Sequence, residues 1–425
     1  MQGHALAAIQ RFWVVGRGSS IRLFVYSSIR ASYGEDMLRS GAGHSNDADG
    51  MHAVEAALSE AMKGLGDVAV DAAFLFLTYH HMGDAAAMVD VVIDRVETEA
   101  VFGCSGMGVL TDARENDREP GVAVLVLGGE QIEVTPLVAE GDDAGVGIGE
   151  QVVAQGTEDA LLVLMCGIYS NPAACLEQIA EVAGDVPIVG GVASGNPWGS
   201  ASPQTLQWCG RWIGEHGVVG ALLTGVKVAT GVAQGCQPFG QAYAITRAEG
   251  NVIQQIAFVP AIDALKEALN TLSAEERADL RNNVFVGLAM DEYAIERGRG
   301  DFLIRGLTHI DEHSGAIAVN EQVSVGQTIQ FNRRTPHAGH EDMVKVMQEL
   351  RQSVGRPSNT CGLYFNCMGR GFGLYGQPDH DVLVIRKHLG AFPMAGFFGN
   401  SELAPVGGRN FVHSYTGALA LIWEE

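Results

Sequence analysis

Three stretches of this chain follow one plan: an apolar strand, a helix, a second apolar strand, then a glycine-rich turn. Self-similarity of this kind limits the fold more than any single motif does. The first stretch reads AFLFLTYHH (73–81), DAAAMVDVVIDRV (84–96) and AVFGCSGMG (100–108). The second reads ALLVLMCG (160–167), NPAACLEQIAEVAG (171–184) and VPIVGGVASG (186–195). The third reads CGLYFNCMGRG (361–371), DHDVLVIRKHLG (379–390) and PMAGFFGNSE (393–402). Near-continuous apolar runs suit strands covered on both faces.

The helices carry their own end signals. Asn171 can cap, Pro172 suits the first helical position, and Gly184 suits a left-handed exit. In the third stretch Asp379 takes the cap position and Gly390 the exit. Leu176, Ile179, Ala180 and Ala183 recur at helical spacing, as do Val382, Ile385 and Leu389, so each helix has one buried stripe. A further strand-like piece follows each turn: 121–129 with 132–138, then 218–233, then 416–425. The repeated unit is therefore β-α-β-β. The fold class expected is α/β of the mixed, α+β kind, with mixed sheets, antiparallel additions and helical cover in two domains.

A different block, about 246–360, separates the second and third stretches. It predicts a helix opening at Pro260, several strands, and a helix within EDMVKVMQELRQSVG. Another amphipathic helix is expected over roughly 51–64. The boundaries adopted are 41–245 and 246–425, preceded by an extension at 1–40. Between Met1 and Gly34 stand four arginines and no acid, so this extension is set apart from the fold and reads as a leader or an over-called start.

Charge and cysteine content exclude whole classes. A net charge of −23 repels phosphate backbones and anionic headgroups, so neither nucleic acid nor membrane is an expected partner. No apolar run approaches the roughly 18 residues of a membrane helix. The seven cysteines include no C-x-x-C pair, which points to reduced thiols in a cytoplasmic protein. No cofactor is expected.

Catalytic patterns fall short of their chemistry. In Gly103-Cys104-Ser105-Gly106-Met107 a methionine stands where a nucleophile elbow needs its second glycine. Gly371, Gly373 and Gly376 match G-x-G-x-x-G, but Asp379 and Asp381 occupy the helix start where a pyrophosphate would sit. His80-His81, His309, His313, His337 and His340 read as surface or strand histidines rather than a metal set.

The stretch GFFGNSELAPVGGRNFVH (396–413) adds Glu402, Arg409, Asn410 and His413 to the third turn. An acid, a guanidinium, an amide and an imidazole could bind a zwitterion, with Glu402 on the ammonium and Arg409 on the carboxylate. They could equally satisfy loop backbone or pair with one another.

FLFLTYHH, VFGCSGMGVL and GVAVLVL resemble the start of the FIST N domain. PAIDALKEAL, the turn Cys367-Met368-Gly369-Arg370-Gly371, and the loop carrying Gly396, Phe397, Glu402, Gly407, Gly408, Asn410, Phe411 and His413 resemble the FIST C domain. Ser401 departs from the glycine usual before the acid. The resemblance covers about 50–425 and implies a sensory signal-transduction module for a small ligand, with amino acids as candidates. It also implies a separate signalling partner such as a histidine kinase or chemoreceptor, since no output motif is legible in the chain. The expected ligand-binding residues are Cys104, Ser105, Gly106, Ser194, Asn196, Arg370, Glu402, Arg409, Asn410 and His413. An enzyme is not expected. The alternatives are a thiol-dependent hydrolase or transferase using Cys104 or Cys367 with His380 or His413, and a ligand-independent docking platform.

Overall fold

A computed structural model of the chain describes residues 8–15, 20–27, 38–157, 159–196, 204–280, 283–294, 297–355 and 357–424. Mixed sheets covered by helices form the body, as the strand and helix patterns predict. Three six-stranded sheets share one strand order. Each is built from a lead strand, a closing strand, a parallel pair and a two-stranded hairpin.

The parallel pairs are Ala72–Thr78 with Val101–Gly106, Leu161–Cys166 with Ile188–Val192, and Cys361–Cys367 with Met394–Gly399. The closing strands Val122–Gly128, Val218–Thr224 and Gly417–Trp423 run antiparallel to the first member of each pair. Outside them lie the lead strands Arg39–Ser45, Glu133–Ala139 and Lys227–Ala233. Two segments thus differ from the sequence reading. Residues 132–138 open the second unit rather than closing the first, and 218–233 divides between two sheets. Each unit also has a helix between its lead strand and its pair: Gly50–Leu65, Ala144–Gln155 and Pro336–Val354.

The hairpins are exchanged in a ring. The first unit's hairpin, Gly108–Thr111 and Glu115–Asn116, extends the third sheet at Met394–Gly399. The second unit's, Gln207–Cys209 and Trp212–Gly214, extends the first sheet at Val101–Gly106. The third unit's, Ser401–Val406 and Arg409–His413, extends the second sheet at Ile188–Val192.

The inner faces of all three sheets share one core, in which the rings of Phe76 and Phe397 lie 5.3 Å apart and those of Phe365 and Phe397 5.7 Å apart. On the outer faces, each unit's two helices cover its own sheet. One glycine recurs at the same register in every pair. A Cβ on Gly103, Gly190 or Gly396 would meet the carbonyl oxygen of its partner Leu75, Leu164 or Tyr364 at 1.7, 1.8 or 1.7 Å. Only glycine fits there.

In the third unit an insertion separates lead strand from helix. Its strands Cys236–Glu249, Thr328–Arg334, Val284–Ala289, Phe302–Asp311, Ala316–Val319 and Val252–Ile256 pair in that order. The last returns to the first, closing an antiparallel barrel filled by residues such as Phe331, Ile329, Ile317 and Val286. Closure removes free sheet edges. Strands Ala8–Val15 and Ser20–Ser27, in the Arg-rich extension, pair with each other as a separate two-stranded sheet.

Candidate functional site

The turns that follow the three parallel pairs meet at one serine hydroxyl. Ser194 Oγ donates to the Phe398 carbonyl at 2.5 Å and accepts from the Met107 N–H at 2.7 Å, so residues of all three units converge on it. Ser105 Oγ donates to the Ser194 carbonyl at 3.0 Å and accepts from the Leu206 N–H at 3.0 Å. Both serines are buried and fully engaged. Cys104 and Gly106 are buried beside them in the strand. Burial pushes the Cys104 thiol well above its ordinary range.

A second polar centre lies where strand Cys361–Cys367 ends. Asp381, the second residue of helix His380–Leu389, pairs with Arg370 at 3.0 Å, both side chains fully buried. Its carboxylate also accepts from Tyr364 Oη at 2.9 Å, Asn366 Nδ2 at 3.2 Å and His380 Nδ1 at 2.9 Å. Burial alone would raise the Asp381 carboxyl. The Arg370 charge, then the His380 and Tyr364 hydrogen bonds, outweigh burial and hold it below the usual carboxylate range. Arg370 in turn donates to Tyr375 Oη at 2.8 Å and to the Ala233 carbonyl at 3.2 Å. Removing either charge would leave the other buried and unpaired, a cost of roughly 3–5 kcal/mol. The first unit's hairpin straps this centre down. Glu115 Oε1 accepts from the Val382 N–H at 2.9 Å, and Asp117 Oδ2 from the Phe372 N–H at 2.8 Å.

Beyond the turn 367–370 lies a third group. Glu402 is fully buried; its Oε2 accepts from Thr416 Oγ1 at 2.7 Å and from the Thr416 N–H at 3.1 Å. Its Oε1 has no hydrogen-bond partner among the described residues, and the Cys367 thiol is close enough to act on the carboxyl. Burial pushes Glu402 up to about 8. Across the turn stands Arg334, from the end of the barrel, over the Tyr415 ring at 5.0 Å. A Cβ on Gly369 would come within 3.2 Å of its Nη1, so the glycine leaves the guanidinium room. Arg334 Nε and Nη1, Asn366 Oδ1 and Glu402 Oε1 are all buried without a hydrogen-bond partner among the described residues. Donors and acceptors left unpaired in this way are costly unless something small completes them.

Comparison with known proteins bears on this arrangement. A model of the FIST N domain matches residues 71–257, and one of the FIST C domain matches 261–405. The uncharacterized protein MT0656 of Mycobacterium tuberculosis (strain CDC 1551 / Oshkosh) is 33% identical over 390 residues, 90% of this chain and 99% of that protein. The chain belongs to the FIST family. The uncharacterized protein Mb0898c of Mycobacterium bovis is 31% identical over 395 residues, 91% of this chain and 100% of that protein. Human F-box only protein 22 is 30% identical over 125 residues, 26% of this chain and 28% of that protein. FIST domains are sensory signal-transduction domains.

On the FIST C segment the expected site residues separate. Arg370 and Glu402 are neighbours across the 367–370 turn, close enough for the guanidinium to act on the carboxyl. Arg409 is exposed at the hairpin tip, over the Phe411 ring. Asn410 ties its hairpin to the second unit, donating to the Val186 carbonyl and accepting from the Ile188 N–H, each at 2.9 Å. His413 lies opposite Glu402 in the hairpin register, and its Nε2 bonds the Ala404 carbonyl at 3.1 Å. Asn196 ends the described part of the second turn. Cys367 is buried, and burial pushes its thiol up to about 12, leaving almost no thiolate near neutral pH.

Asn366, Tyr364 and Arg334 are residues the sequence reading passed over, and Asp381 entered it only as a charge at a helix start. Asp381 had a signal: an acid inside an apolar helix stripe, 11 residues after a lone arginine in a buried turn. Arg334 had none, because it arrives from the barrel.

Proposed function

We propose that this FIST protein senses a small zwitterionic ligand, an amino acid being the simplest case, at the turn 366–370. The carrying observation is the set of unpaired buried atoms around that turn: Arg334 Nε and Nη1 on one side, Asn366 Oδ1 and Glu402 Oε1 on the other. The guanidinium suits a carboxylate, and the two acceptors suit an ammonium. The site also lies outside the carboxyl ends of a parallel strand pair, where α/β sheets commonly take ligands. Arg334 comes from the barrel, while Asn366 and Glu402 come from the third unit, so a bound ligand would bias their relative position.

The reading extends to a cytoplasmic protein whose three units derive from one internal repeat and which passes its signal to a separate partner, such as a histidine kinase or chemoreceptor. Thiol chemistry at Cys104 or Cys367 is the weaker reading, because burial disfavours both thiolates.

A thermal-shift screen of the protein amino acids and small carboxylates tests the site. At least one should raise the melting temperature, and Arg334→Gln and Glu402→Gln should each abolish that shift. Binding should also release a proton, since an ammonium draws Glu402 into its ionised form. This would appear as a buffer-dependent heat in calorimetry. A hit that both variants bind unchanged removes the site from consideration.

A further inference from the structure

Asp381, His380 and His340 form a file from the core to the surface. Asp381 is fully buried, His380 is 4% exposed and His340 is exposed. Asp381 Oδ1 meets His380 Nδ1 at 2.9 Å, and His380 Nε2 meets His340 Nδ1 at 3.0 Å. The Tyr375 ring stacks on His380 at 3.4 Å and fixes its plane.

The direction of this file is set from its buried end. An ionised carboxylate only accepts, so the proton on the first bond belongs to His380 Nδ1. With the His380 ring neutral, its Nε2 is a bare lone pair and can only accept, which places the second proton on His340 Nδ1. What remains on His340 is an unprotonated Nε2, turned away from the file. The same logic orients the base of a hydrolase triad, but here the third member is itself a nucleophilic imidazole.

We propose that His340 Nε2 is a phosphoryl-accepting site, loaded by a donor of the phosphoramidate or phosphohistidine class. The Nε2 lone pair forms the new N–P bond. The donor's nitrogen carries its extra proton beforehand, as in zwitterionic phosphoramidate; the P–N bond breaks, and that nitrogen leaves with the bonding pair as a neutral amine, ammonia in the simplest case. The positive charge created on the His340 ring is met by Asp381 through the two hydrogen bonds of the file. His340 lies near the start of helix Pro336–Val354, whose positive end favours an incoming anion. Lys387 is the cationic side chain that acts on it, with Asp381 as the opposing charge. Glu341, the next residue, is occupied by Arg299 and His337. Burial lowers the His340 pKa and favours the neutral ring, and the Lys387 charge acts in the same direction. Asp381 and His380 are positioning residues. This site goes beyond the ligand reading and does not depend on it.

Potassium phosphoramidate is the probe, used on the full chain at neutral pH. His340 should gain one phosphoryl group, acid-labile and mapped by peptide mass spectrometry, on the order of tenfold or more faster than exposed His337 or His52. His380→Phe should bring His340 down to the rate of those histidines. His380→Gln, which can still accept from one imidazole and donate to Asp381, should restore part of the difference. Nitrogen-15 NMR of the unmodified wild type supplies a readout independent of any variant's folding: His340 should carry its proton on Nδ1. Three results would each overturn the assignment: a proton on Nε2, phosphorylation of His340 no faster than of His337, or acylation by diethyl pyrocarbonate without any reaction with phosphoramidate.

Discussion

Glu402 and His413 face each other across one hairpin, and burial keeps both neutral from opposite directions. Burial raises Glu402 to about 8 and lowers His413 to about 4. For Glu402 the folded value lies above the unfolded one, near 4.5. Its contribution to stability is complete below pH 4.5 and is lost as pH rises through about 8. His413 works in reverse, holding its contribution above 6.5 and losing it as pH falls through about 4. Glu402→Gln should therefore match wild type in urea unfolding at pH 5 and exceed it at pH 9, by on the order of 2–4 kcal/mol. Equal gains at both pH values would mean that Glu402 is not buried as an acid. The sequence marked Glu402 because no other unit carries its counterpart. It could not show that Arg409, seven residues on, leaves the site, since a hairpin sends alternate and distal residues to different surroundings.

At the scale of elements, the parallel pairs and the second helix of each unit are legible because both depend on local pattern. Strands covered on both faces need unbroken apolar runs, and one-sided helices need a stripe. The lead strand Arg39–Ser45, RSGAGHS, carries neither signal. It reaches its place because Gly41 and Gly43 let helix Gly50–Leu65 approach: a Cβ on either would meet a helix carbonyl oxygen at 1.9 Å. Which sheet each hairpin completes is also absent from local sequence, because the partner strand belongs to another unit. The Ser194 hydroxyl is where that exchange is fastened. Ser194→Ala should cost about 1–3 kcal/mol in urea unfolding, since it strands a buried N–H and weakens the hold on a carbonyl. A loss below a few tenths of a kcal/mol would show that the three turns hold together without it.

For the whole molecule, ring exchange makes the three sheets interdependent. None is complete without a hairpin from another unit, and all three share one core. Native-state hydrogen exchange should therefore give strands Ala72–Thr78, Leu161–Cys166 and Cys361–Cys367 the same opening free energy, within about 1 kcal/mol. A strand that opens well below the other two would show that its unit unfolds alone. The barrel, closed on its own hydrogen bonds and filled by its own side chains, is free to open separately.

The cyclic exchange also fixes how many units such a chain can hold. In a stacked array every unit meets its neighbours in the same way, so length can grow or shrink by whole units. Here the first unit completes the third sheet, the second completes the first, and the third completes the second. A fourth unit would find every receiving edge already taken, and losing one would leave a hairpin without a host. Change can enter such a chain only where it leaves the circuit intact, and the barrel, inserted between a lead strand and its helix, is one such place.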